Sequence, residues 1–237
     1  LDILNMKKDY RAIREAAKVL MTKPLELARS QHVEKVYREA YFSEIQQTEE
    51  KGDLQGAVDA YKKFALENTQ SELAPKAWWN ASQLQFRLGD AQGGASTCFQ
   101  MHNLFPKAGN GKDCLTQAAQ TFEAMARLDL AAKVLLNLAD VEKEKASHWR
   151  EIAADFFALS GDQDRALEMY QTLADAAKGG KRLALLEKMA GIARESGETK
   201  VVSKLEGIYS AEGIEPQASR LVVEQAEQAF EKKDFNK

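Results

Sequence analysis

Proline is scarce in this chain, four residues in 237, and glycine contributes only fourteen. So few breakers leave room for long helices. β-Branched residues rarely cluster, while Ala, Leu, Glu, Lys and Gln dominate, so helix is favoured throughout. Long apolar runs are missing too. The best, "AAKVLLNLA", is far shorter than the ~20 residues a bilayer span needs, and no direct membrane insertion is expected. Charge of one sign is also absent, since 33 basic residues face 36 acidic ones, interspersed, for a net charge of −3. Without a basic field, neither nucleic acid nor an anionic membrane surface is an expected partner. No charged-then-apolar leader opens the sequence, and Leu1 reads as the start of an excised piece.

The residues that carry chemistry are equally sparse. The three histidines, His32, His102 and His148, stand at no ligand spacing, so no metal is expected. "GNGKDC" (109–114) holds Gly-x-Gly-Lys without Walker spacing or a βαβ setting, and reads as a loop with Asp113 as a helix cap. No nucleophile sits beside a base. No catalytic residue and no cofactor is expected, and the chain is read as a non-enzyme. Cys98 and Cys114 match neither a zinc framework nor a disulfide-dense secreted domain. Cys98 reads as a buried free thiol between helices, and Cys114 opens the next helix on the groove side. A disulfide needs Cα atoms within ~7 Å. Antiparallel neighbours allow that, but the faces differ.

What is present is a repeat. "KGDLQGAVDAY", "LGDAQGGASTC", "SGDQDRALEMY" and "SGETKVVSKL" each begin a segment at Gly52, Gly89, Gly161 and Gly197. "ARLDLAAKVLL" fills the gap with Arg127 where glycine would sit, giving steps of 37, 38, 34 and 36 residues. Degenerate copies follow at Lys8 ("MKKDYRAIREA") and Lys233 ("EKKDFNK"). In each, helix-forming residues run into a turn and out again. In "AWWNASQLQFRLGD" the apolar stripe is Trp78, Ala81, Leu84 and Leu88. Gly89 suits the left-handed helix stop, and Asp90 the next N-cap. Small residues at Ala57, Gly94, Ala132 and Ala166 let paired helices approach, and Tyr61, Leu136 and Tyr170 fill the space one turn later. Each hairpin keeps one apolar face that only a neighbouring hairpin can cover.

The copy running to Pro106 resembles the tetratricopeptide repeat through Trp78, Asn80, Ala81, Gly89, Asp90, Gly94 and Pro106. The copy around Gly52 is similar through Tyr41, Ala57, Tyr61 and Phe64, and that around Gly161 through Ala154, Phe157, Ala166, Tyr170 and Leu173. The resemblance implies an all-α, right-handed solenoid of about five full repeats with partial ones at both ends. Residues 1–34 form a partial repeat and an extended connection around Pro24. Repeats follow at 35–69, 72–107, 111–145, 147–180 and 181–214, with a partial one at 216–237. Trp78, Gly52, Gly89, Gly161 and Pro106 are the expected structural residues.

In such repeats the first helix of each hairpin lines the concave face. Trp79, Gln83 and Phe86 form a stripe about 100° round from Trp78. Its counterparts are Phe42, Gln46 and Glu49, then Gln117, Thr121 and Ala124, then Glu151, Asp155 and Ala158. Phe42, Trp79, Gln83, Phe86 and Arg87 are the candidate partner-binding residues of a scaffold that grips a protein or peptide. Packing of Trp79 and Phe86 against the adjacent repeat is the competing reading. A structural or self-associating module is the second class of function. The stretch "FALENTQSELAPKAWWNASQLQFRLGD" is also similar to tetratricopeptide proteins of Gram-negative envelopes, which implies an envelope accessory role and a periplasmic location, with the cytoplasm as alternative.

Overall fold

In a computed structural model, residues 8–212 are described, together with 223, 226, 227 and 230. The degenerate copy at Lys233 and the partial repeat at 216–237 lie outside the described residues, apart from those four. Eleven α-helices and no strand occur among the described residues. They are α1 (Tyr10–Met21), α2 (Leu27–Glu50), α3 (Leu54–Glu67), α4 (Leu73–Arg87), α5 (Ala91–Leu104), α6 (Gly111–Ala124), α7 (Leu128–Val141), α8 (Ala146–Leu159), α9 (Gln163–Ala176), α10 (Gly179–Ser196) and α11 (Thr199–Glu212). A short 3₁₀ turn, Lys143–Lys145, precedes α8.

The chain divides into two compact units, 1–126 and 127–237. In the first, α1 to α6 pack each on the next, and α2 also touches α4. In the second, α7 to α11 do the same. Sequential packing of this kind, each helix on its neighbour in the chain, is the signature of a helical repeat array.

Turn chemistry explains where the helices break. Gly52, Gly89, Gly161 and Gly197 all hold positive φ, between 72° and 88°. That conformation ends one helix, and the side chains of Asp53, Asp90 and Asp162 then accept backbone N–H bonds from Gly56, Gly93 and Arg165 to start the next. Lys8 at φ 53° followed by the capping Asp9 repeats the device ahead of α1. Pro106 is exposed in the connection from α5 to α6.

The copy without glycine corrects the sequence reading. Ala126, not Arg127, takes the left-handed turn, with φ 55°. Arg127 is the N-cap residue of α7. Every residue counted from Arg127 therefore moves by one position, about 100° around a helix. The position equivalent to Ala57 is Ala131, with Ala132 also fully buried, and the large residue is Leu135, while Leu136 is half-buried.

The hairpin α4/α5 shows how the core is closed. Trp78, 4% exposed, and the fully buried Ala81 and Leu84 carry the inward stripe. Leu88 falls beyond the helix and is 43% exposed. Gln85 takes the inward place instead. Its Oε1 accepts from Thr97 Oγ1 at 2.6 Å, and its Nε2 donates to Asp90 at 2.9 Å. A buried amide satisfied at both ends ties α4 to α5 and to the cap between them.

Cys98 and Cys114 form a disulfide with Cα atoms 5.0 Å apart, and neither is a free thiol. The corrected register gives the reason. Cys114 is rotated off the expected groove side and faces α5, where both cysteines are 0% exposed.

Candidate functional site

Counting back from the left-handed turn residue places the equivalent stripe on four of the first helices. Ten, six and three residues before Gly89 stand Trp79, Gln83 and Phe86; before Gly52, Phe42, Gln46 and Glu49; before Gly161, Glu151, Asp155 and Ala158. Before Ala126 the same spacing gives Thr116, Gln120 and Glu123 in place of Gln117, Thr121 and Ala124.

In the first unit the structure gives the five candidate residues different roles. The Phe42 ring packs on Tyr61 and Phe64 of its own hairpin, at centroid distances of 5.4 and 5.7 Å. The Phe86 ring lies over Gly94, where an added Cβ would meet it at 2.9 Å. Both aromatics thus help close their hairpins. Arg87 donates to Glu49 at 2.9 Å, joining α4 to α2. Gln83 donates to Gln117 Oε1 at 2.9 Å, joining α4 to α6. Trp79 is half-buried on the same face. Gln117 was expected on the groove; the shifted register turns it toward α4 and creates this amide pair. Burial lifts Tyr61 to about 12, and its hydroxyl donates to Glu49 at 3.2 Å. Glu49 therefore receives both a phenol and a guanidinium, which fixes the joint between α2 and α4.

The second unit builds its first-helix face from charge. Lys188 of α10 donates to Asp155 at 2.8 and 3.0 Å and to Glu151 at 3.1 Å. Burial opposes this ammonium, but those hydrogen bonds outweigh it and its pKa is raised. Tyr170 of α9 donates to the same Asp155 carboxylate. Burial, then the bond to Asp155, holds the phenol far above its usual range. Lys188 and Gln117 stand nine residues before Gly197 and Ala126 respectively, so both link a first helix to the one before it. Beside the ion cluster opens a cleft of about 340 Å³ lined by Ala158, Leu159, Gly191, Ile192 and Glu195.

Among the described residues no three His, Cys, Asp or Glu side chains gather as a metal-ligand group. No described helix is long and apolar enough to cross a membrane. The arrangement offers shaped surface, with its ionisable groups engaged in holding helices together.

These features define a class: an all-helical repeat protein built from tetratricopeptide-like hairpins. No protein-family model and no curated protein matches the chain. Similar solved structures include a Podosopora anserina protein named for kinesin light chain, with nearly identical TPR-like repeats. It shares 14% identity over 84% of this chain and 97% of that one, with a TM-score of 0.35. MamA RS-1, as an ArsTM double mutant, shares 13% over 82% and 96%, with a TM-score of 0.34. BtubC (BKLC) from P. vanneervenii shares 12% over 92% and 90%, with a TM-score of 0.35.

Proposed function

We propose that this chain is a non-catalytic scaffold that binds a protein or peptide partner through the first-helix face of its first unit. The observation that carries the reading is the run Trp79, Gln83 and Arg87 along α4, one helical turn apart. Gln83 and Arg87 are hydrogen-bonded to the helices on either side. Trp79 is thereby presented from a braced platform, which lowers the entropy lost when a partner orders it. Large aromatic and arginine side chains on such faces carry a disproportionate share of binding energy. Phe42 and Phe86 support the platform from inside their hairpins.

The test is direct. Trp79→Ala is expected to lower partner capture at least tenfold while leaving the thermal midpoint nearly unchanged. A photo-crosslinking residue at position 79 should yield partner adducts in the source cells. The same probe at Leu66, an exposed position on α3, should not. Equal capture by the Trp79→Ala variant would remove the assignment.

A further inference from the structure

The disulfide has no part in the binding face, yet it constrains where the chain can be made. The chain holds only two cysteines, and they are bonded to each other. Both are 0% exposed, enclosed between α5 and α6, with Ser82 Oγ of α4 at 4.0 Å from Cys114 Sγ. Cys98 stands nine residues after Gly89, where the sister hairpins place Tyr61 and Tyr170 after Gly52 and Gly161. A small residue has replaced a large ring in the seam between hairpins. The covalent bond joins α5 of one hairpin to α6 of the next.

Thiol–disulfide exchange requires a thiolate to reach a sulfur atom. With both sulfurs enclosed, no protein or glutathione thiol reaches them once α5 and α6 are packed. The bond must then form before that packing is complete, and it cannot serve as a reversible switch in the folded protein. Compartments poised by glutathione and thioredoxin keep cysteines reduced, whereas disulfides form and persist in oxidising ones.

We propose that a dithiol/disulfide oxidase closes Cys98–Cys114 while the chain folds, and that the protein works in an oxidising compartment such as a periplasm. The two thiols lose two protons and two electrons as the S–S bond forms. The electrons and protons convert the oxidase disulfide to a dithiol. This inference is independent of the binding face and stands if that assignment fails.

Thiol trapping in the source cells tests it. Acid-quenched cells are denatured and alkylated with a maleimide–polyethylene glycol, and the chain is resolved by electrophoresis. For the chain bounded by these 237 residues, no mass step is expected before chemical reduction, and two after it. Any step before reduction for the bulk of the chain overturns the proposal. A second measurement addresses burial. Purified oxidised protein should resist a dithiol reductant in native buffer and yield once denaturant is added. Equal cleavage rates in the two conditions overturn the claim that oxidation precedes packing.

Discussion

Ala126 pays for its position in a way its neighbours do not. At φ 55° its Cβ sits in the left-handed region, where four sister turns use glycine. A Cβ there costs ~1–2 kcal/mol, while replacing it with glycine loosens the unfolded chain by ~0.4–1 kcal/mol. Ala126→Gly is therefore expected to stabilise the protein by about 0.5–1 kcal/mol, seen as a higher urea midpoint at unchanged slope. Gly89→Ala is the mirror experiment. Nothing lies within 4 Å of a Cβ built there, so no clash contributes, and its destabilisation reports backbone strain less the gain from a stiffer unfolded chain. A fall in midpoint for Ala126→Gly would contradict the left-handed assignment. The same residue shows why this turn escaped the sequence. "ARLD" offers no glycine, and an alanine in a helix-rich chain carries no mark of a positive φ. A turn placed at Arg127 lies one residue too far along, and that shift hides both the Gln83–Gln117 pair and the approach of Cys114 to Cys98.

Between helices, legibility followed periodicity and stopped where packing chose among partners. Spacing alone separated Trp78, which is core, from Trp79, which is half-buried. It could not show that the rings of Phe42 and Phe86 turn into their own hairpins, because that depends on Tyr61 and Phe64 in one case and the bare Gly94 in the other. Nor could it show that α4 and α6 are linked by an amide pair, while α8 and α10 are linked by an ion cluster. That difference is measurable. Lys188→Met leaves Glu151 and Asp155 as adjacent carboxylates without their shared ammonium. Because the lysine side chain is 37% exposed, solvent screening limits the loss to about 1 kcal/mol or less. The loss should shrink further at molar salt. Gln83→Met removes a neutral pair, and its cost should be insensitive to salt. Equal salt dependence in the two variants would show that the Lys188 contacts are not electrostatic in effect.

Across the whole molecule, buried phenols recur on the second helices: Tyr61 in the first unit, Tyr170 and Tyr209 in the second, each at most 1% exposed. Burial raises all three above the ordinary tyrosine value of 10, and takes Tyr61 and Tyr209 to about 12. A group whose folded pKa is raised keeps its proton longer in the native state, so the folded chain binds more protons than the unfolded chain above pH ~10. Their contribution is thus complete below pH ~10 and is lost as pH rises toward 12 and beyond. Equilibrium unfolding in urea should show a flat midpoint near neutrality and a steep fall above pH 10, with tyrosinate absorbance rising in step with unfolding. Tyr209 separates this from general charge repulsion. Its hydroxyl is buried with no hydrogen-bond partner among the described residues, so Tyr209→Phe removes an ionisable group without breaking a described bond. The variant should match or exceed the parent near neutrality and lose stability less steeply above pH 10. An unaltered alkaline slope would mean that Tyr209 ionises without unfolding, and that its enclosure between α10 and α11 is looser than the packed array requires.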